Sequence, residues 1–312
     1  MTLDLQRQDK PLMKHKAVRK VVVTRIVALG ILSCFLVGCS GAPSLPKLPK
    51  LSNPFKAKPT SASGEEIPAD KIYNSADALL SKGKFQDAAT QFEEVDRKYP
   101  YSPFARRSIV MSAYSHYKAK QYPEAVQAAT RYTTLHPGTK ETPLAYHIIA
   151  MSHYDQITSA QRDQTQTRRA LQAMETLTLR YPESSYAKQV NNKIRITRDM
   201  LAANEMTVGR FYLKKNNHIA AINRFKIVVQ KYQNTAHVEE ALARLTESYM
   251  ALGVVNEAQT AAAVLGHNFP DSQWYKDSYV LLQSDGLAPR EDSGSWISKT
   301  WSKAFSGLKK PS

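Results

Sequence analysis

Residues 85–100 read FQDAATQFEEVDRKYP, and they contain the pattern that decides the fold. Ala88, Phe92 and Val95 stand at offsets 0, +4 and +7, which lie on one face of an α-helix. Tyr99-Pro100 follows, and a residue that precedes proline avoids the helical region. The stretch therefore predicts an amphipathic helix that ends just before a proline.

The same pattern occurs five times along the chain. Each copy has an alanine, an apolar or aromatic residue four positions later, and another three positions after that. The members are Ala88, Phe92 and Val95; Ala125, Ala129 and Tyr132; Ala170, Met174 and Leu177; Ala221, Phe225 and Val228; and Ala258, Ala262 and Leu265. The copies close on Tyr99-Pro100, His136-Pro137, Tyr181-Pro182, Tyr232-Gln233 and Phe269-Pro270.

A second helix precedes each of these segments, and it carries a small residue 24 positions before the closing position in four copies, and ahead of an insertion in the third copy. These residues are Ala76, Ala113, Ala150, Gly209 and Thr246. A small residue lets a neighbouring helix approach closely, and such pairs must stack to bury their apolar faces. We therefore predict an all-α fold, a tetratricopeptide-repeat solenoid of five helix pairs over residues 68–282. A generic helical bundle is the alternative, but it does not explain five copies in one register.

The closing residues are spaced by 37, 45, 51 and 37 positions, so the array is irregular. The spacing of 45 predicts an insertion at residues 155–167. The spacing of 51 predicts a long fourth-repeat helix over residues 185–214, about 45 Å in length at 1.5 Å per residue.

The N-terminus has the layout of an export signal. Basic residues precede an apolar run from Ile26 to Val37, which is too short to span a bilayer. The run ends in Leu36-Val37-Gly38-Cys39, which resembles the lipobox of bacterial lipoproteins. We predict a signal peptide at residues 1–38, starting at Met1 or Met13, and a lipid anchor on Cys39. The resemblance to lipoproteins of Gram-negative bacteria, with Ser40 and not aspartate after the cysteine, implies a place at the outer membrane, facing the periplasm.

The two ends of the exported chain differ from the repeats. Residues 39–67 are expected to form a lipidated, proline-rich tether, because recurrent prolines exclude helix and central strand. Residues 283–312 are expected to form a flexible tail, with Gly286 and Gly294 as the link. The tail also contains a possible amphipathic helix for a membrane surface or a partner, with Trp296, Ile297, Thr300, Trp301, Ala304, Phe305 and Leu308 on one face.

Cysteine content and charge limit the classes of partner. Residues 40–312 contain no cysteine, so the exported chain has no disulfides and must be stabilised by packing. Seven of the basic and two of the acidic residues lie in residues 1–38, so the rest of the chain keeps a net charge of +11. In an exported protein this charge favours acidic proteins or anionic lipids as partners, and no nucleic acid is expected.

Motifs for catalysis are missing from the sequence. It has no His-Glu-x-x-His pair, no phosphate-binding glycine loop and no Gly-x-Ser-x-Gly turn. His147 and His153 are six residues apart, so they lie on different sides of a helix and make a poor metal pair. We therefore predict a protein that is not an enzyme and uses no cofactor and no metal.

Tyrosines are frequent on the predicted first helices of the first three pairs. Tyrosine provides a large, rigid contact surface with a polar tip, which suits peptide binding. First helices line the concave side of a solenoid, so these residues are candidates for a client-binding groove, although some must fill the core. They are Tyr73, Tyr114, Tyr117, Tyr146 and Tyr154.

The lipobox, the tether and the irregular repeats together resemble the BamD family, lipoproteins of the β-barrel assembly machine. The matching segments are Tyr99-Pro100 with Ser102-Pro103-Phe104, Arg162-Asp163, Tyr181-Pro182-Glu183-Ser184-Ser185-Tyr186 and Asn223-Arg224. The similarity covers residues 39–282 and departs from the family at Gln233, where proline is usual, and in the tail.

This resemblance implies a scaffold that binds BamA, other lipoproteins of the machine and unfolded outer-membrane proteins. It places Asn223 and Arg224 on the surface used toward BamA. Another tetratricopeptide lipoprotein, such as a secretin pilotin or a scaffold of peptidoglycan synthesis, is the alternative, although such arrays usually keep a spacing near 34.

Overall fold

The computed structural model describes residues 67–306, with side chains as far as Lys303. The predicted signal peptide, Cys39 and nearly all of the tether lie outside these residues. Within them the chain forms twelve α-helices. The helices are α1 Ala69–Ser81, α2 Phe85–Lys98, α3 Ala105–Lys118, α4 Tyr122–Leu135, α5 Thr142–Tyr154, α6 Thr165–Arg180, α7 Ser185–Lys214, α8 His218–Lys231, α9 Val238–Ala251, α10 Val255–Asn268, α11 Gln273–Ser284 and α12 Trp296–Ser306.

The helices pack as consecutive pairs, from α1 with α2 to α9 with α10. First helices of neighbouring pairs also stack, since α5 contacts both α3 and α7. The predicted all-α solenoid of five helix pairs is therefore confirmed. α11 packs on α9 and α10 and so covers the last pair, as a terminal element must in a repeat array.

The repeated alanine, apolar and aromatic positions form the core. All fifteen of them have no exposed surface, and four of the five small positions on the first helices are equally buried. At the fifth, Gly209, an added Cβ would lie 2.4 Å from Cε1 of Phe225. In the fourth pair the absence of a side chain at Gly209 therefore leaves room for the ring of Phe225 on the second helix.

The fourth pair has the long first helix that the spacing predicted. α7 contains 30 residues, and the hydroxyl oxygen of Ser184 accepts hydrogen bonds from the backbone of Tyr186 and Ala187 at its start. The insertion is shorter than expected, because Thr165 to Thr167 already belong to α6. None of the helices within residues 67–306 combines the length and apolar content needed to cross a bilayer.

The C-terminal segment differs from the predicted flexible tail. Its amphipathic helix is present as α12, but the apolar face packs against α8 and α10 of the same chain. Ile297 is fully buried there, and Nε1 of Trp296 donates a hydrogen bond of 3.0 Å to the hydroxyl of Tyr249. The segment between α11 and α12 is also fixed to the repeats, because Nε2 of Gln259 on α10 donates a hydrogen bond to the carbonyl oxygen of Ala288. The side chains of Ala304, Phe305 and Leu308 lie outside the described ones.

Candidate functional site

The five candidate tyrosines do not form one surface. Tyr73 is only 7% exposed, and its ring centre lies 5.3 Å from those of Phe92 and Phe104. The expectation that Tyr73 lines an open groove is therefore wrong. Its position on α1 brings it to the side that meets α2 and the start of α3, so it fills the core of the first pair.

Tyr114 and Tyr146 are half-buried and face different neighbours. Tyr114 packs with the cluster around Ala113 and Ile148. Nη1 of Arg180, at the end of α6, donates a hydrogen bond of 2.8 Å to the hydroxyl of Tyr146. Tyr146 thus contacts the second helix of its own pair, and its polar tip already has a partner.

Tyr117 and Tyr154 lie together where α3, α5 and α7 stack. The hydroxyl of Tyr117 donates a hydrogen bond of 2.8 Å to Oδ2 of Asp155, just after the end of α5. Nζ of Lys193, on α7, lies 4.5 Å from the ring centre of Tyr154, a cation–π distance. Three successive first helices therefore contribute side chains to one patch.

Burial shifts the pKa values of two ionisable groups in this region, Tyr117 and His147. Burial raises the pKa of the Tyr117 hydroxyl, and the hydrogen bond to Asp155 raises it further, so the phenol keeps its proton. Burial, followed by the positive charge of Lys193, lowers the pKa of His147 below its usual value. The imidazole is therefore neutral near pH 7, and Lys193 is the cation of the patch.

We call Tyr117, His147, Tyr154, Asp155 and Lys193 the tyrosine patch. Sequence reasoning found its two tyrosines but missed the other members, because the stacking of α7 on α5 brings Lys193 to Tyr154. The patch offers aromatic surface, one ammonium and hydrogen-bonding groups, which suits an extended polypeptide with a carboxylate end. Among residues 67–306 no cluster of side chains has the make-up of a metal site.

The second predicted surface contains Asn223 and Arg224 on α8. Asn223 is exposed, and the side chain of Arg224 is 41% exposed. Nη1 of Arg224 already donates to Oε2 of Glu205 on α7, at 3.2 Å. Arg210 on α7 makes a two-pronged contact of the same kind with Glu240 on α9, with both distances 2.8 Å. Arg224 thus belongs to a charged surface over α7, α8 and α9.

Comparison with known proteins decides the family. The profile of the YfiO family, described as an outer membrane lipoprotein, matches residues 65–265. The outer membrane protein assembly factor BamD of Caulobacter vibrioides is 39% identical over 84% of this chain and 82% of its own. This chain belongs to the BamD family. The predicted resemblance is thereby confirmed.

Other relatives carry the same name. The BamD protein of Rickettsia prowazekii is 40% identical over 70% of this chain and 86% of its own, and that of Neisseria meningitidis serogroup A is 32% identical over 65% and 80%. A solved tetratricopeptide repeat protein from Parabacteroides merdae aligns at 14% identity with a TM-score of 0.31, over 76% of this chain and 79% of that one. The assignment of the fold rests on the helix pairing of this chain and not on that likeness.

Proposed function

We propose that this protein is a non-catalytic scaffold for the assembly of outer-membrane proteins. It is held by lipid on Cys39 at the periplasmic side of the outer membrane, where it binds BamA and receives unfolded outer-membrane proteins. The names of its relatives support the assembly role. The observation that carries the proposal for clients is the tyrosine patch, which three stacked first helices build from side chains far apart in sequence.

The tyrosine patch would hold a client by its terminal strand. The rings of Tyr117 and Tyr154 supply apolar contact at low entropic cost. Lys193 supplies the charge that a terminal carboxylate needs, while the carboxylate of Asp155 in the patch accepts the hydrogen bond from Tyr117. Neutral His147 adds a hydrogen-bonding group without a further charge.

Replacing Lys193 with Gln is expected to weaken client binding about tenfold, the loss of about 1.4 kcal/mol that one charge-assisted contact supplies. The probe is a fluorescent peptide with the sequence of the C-terminal strand of an outer-membrane β-barrel, followed by anisotropy. Lys188→Gln is the matched control, because Lys188 is exposed on the same helix outside the patch. Equal affinities for the two variants would contradict a client role for this patch.

The surface around Arg224 would bind BamA through carboxylates of that partner. Arg224 is partly exposed while paired with Glu205, so a second carboxylate can approach its guanidinium from solvent. Because the pair is partly exposed, it contributes little to folding stability. Its main consequence is to hold the guanidinium in a fixed orientation.

Arg224→Glu is expected to weaken binding to BamA about tenfold or more, because it places like charges in contact. This change also sets two carboxylates side by side within the chain. The double variant Arg224→Glu with Glu205→Arg restores the internal pair while keeping the reversed charge at position 224. Binding to purified BamA and thermal melting are measured for both variants. Recovered stability without recovered binding is expected, and recovery of both would show that Arg224 acts only through folding.

A further inference from the structure

The first two and the last two helix pairs match residue by residue. Ala88 of α2 corresponds to Ala221 of α8, and Ala125 of α4 to Ala258 of α10, with the same offset of 133 residues. Ala113 of α3 corresponds to Thr246 of α9 by the same offset. The three helices α2, α3 and α4 therefore form the same unit as α8, α9 and α10.

In the second unit, α12 fills the groove between α8 and α10. Tyr249 on its floor accepts the hydrogen bond from Trp296, and Nζ of Lys226 lies 4.6 Å from the centre of the Trp296 ring. On the other wall, Oε2 of Glu257 accepts a hydrogen bond of 2.6 Å from the hydroxyl of Ser295. This unit thus shows that the groove takes a helix.

In the first unit, the corresponding groove between α2 and α4 is open and has a volume of about 520 Å³. We call it the α2–α4 groove. Several of its lining residues correspond to residues that contact α12 or the segment before it. Glu124 corresponds to Glu257, which accepts the hydrogen bond from Ser295. Gln127 corresponds to Thr260, whose hydroxyl accepts a hydrogen bond from the backbone of Asp292. His116 corresponds to Tyr249.

The chemistry of the α2–α4 groove differs from that of the filled groove. Ser112 and Asp96 replace the buried Leu245 and Val229, and Arg131 replaces Val264. Asp96 and Arg131 form an ion pair. A helix with the apolar face of α12 would strip water from that pair, which is costly. The groove therefore selects against α12 of a second copy.

The α2–α4 groove is lined by more negative than positive side chains, which favours a positively charged ligand. Its lining includes four carboxylates but only two arginines, in a chain with a formal net charge of +16. The carboxylates are Glu93, Glu94, Asp96 and Glu124. One of them, Glu93, contacts Nε2 of His116 at 2.7 Å and is still 55% exposed.

We propose that the α2–α4 groove docks an amphipathic helix of a partner protein, with Lys or Arg side chains on its docking face. Two observations meet in this proposal: the matching groove holds a helix, and the lining has a surplus of negative charge. The tether at residues 40–66 is basic and belongs to the same chain, but its sequence has recurrent prolines and is not that of an amphipathic helix. The site is separate from the tyrosine patch and from the surface around Arg224.

The probe is a labelled peptide of residues 294–306 that carries Ile297→Arg and Trp301→Arg. It should bind the full chain saturably, and the unchanged peptide should bind at least about tenfold more weakly, since its apolar face does not suit the groove. Gln127→Arg places a positive charge on the exposed wall of the groove, and should weaken binding of the substituted peptide about tenfold. Gln172→Arg, an equal change at an exposed position on α6, should leave binding unchanged.

Three results would overturn the proposal. One is no binding of the substituted peptide, and another is equal affinity for the Gln127→Arg and Gln172→Arg chains. The third comes from a photo-crosslinker at position 127 of the full-length chain in its native membrane. Adducts confined to residues 40–66, or to a second copy of the chain, would assign the groove to those segments.

Discussion

Phe225→Ala is expected to lower the free energy of unfolding by about 3–5 kcal/mol, as for other large aromatic side chains removed from a packed core. Phe225 has no exposed surface, and its ring on α8 lies against Gly209 of α7. Removing the ring leaves a cavity between two helices that a backbone of regular helix cannot close. Chemical denaturation followed by circular dichroism measures the loss.

Gly209→Ala tests the same contact from the other side. The added Cβ would overlap the Phe225 ring, so a loss of about 1–3 kcal/mol is expected despite the better helix propensity of alanine. The double variant Gly209→Ala with Phe225→Ala should cost less than the sum of the single changes, because the ring that the methyl group meets is gone. Gly138→Ala is the control, since nothing lies within 4 Å of its added Cβ. Additive losses would contradict this packing.

Ile297→Ala is expected to cost about 2–5 kcal/mol, which is the usual range for a buried isoleucine, and to release α12 from the repeats. Ile297 has no exposed surface, and it lies in one core cluster with Trp301 of the same helix and with residues of α8 and α10. Two of the three tryptophans of the chain lie on α12. Release should therefore shift the tryptophan emission to longer wavelengths before the repeats unfold.

The matched control for this change is Val280→Ala on α11, where the side chain is 64% exposed. It should change stability by no more than about 0.5 kcal/mol and leave the emission unchanged. An Ile297→Ala chain with the stability and emission of the original would show that α12 contributes nothing to the folded state.

The fold was predictable because its signal repeats. One copy of alanine, phenylalanine and valine at helical spacing is weak evidence, but five copies in one register leave little choice of architecture. The length of α7 followed from a single spacing. The fourth copy has more residues between its closing positions than the others, and a longer helix takes up these residues without a further turn. The place of α12 did not follow, because an amphipathic helix carries no mark of which surface it covers.

The candidate site was predictable only in part. Residue type and helix position selected five tyrosines, yet the direction of each side chain depends on its place around the helix and on its neighbours. Tyr73 turns toward α2 and is buried, whereas Tyr154 turns toward α7. The partner of Arg224 within the chain was missed as well, because Glu205 lies 19 residues earlier on another helix.

The return of α12 onto α8 has a consequence for the order in which the array opens. In a simple solenoid each unit contacts only its neighbours, so both ends can fray independently. Here the hydrogen bond from Trp296 to Tyr249 spans 47 residues and ties α12 to the fifth pair, and the packing of α12 on α8 ties it to the fourth. The fourth and fifth pairs are therefore expected to open together with α12 as one cooperative block.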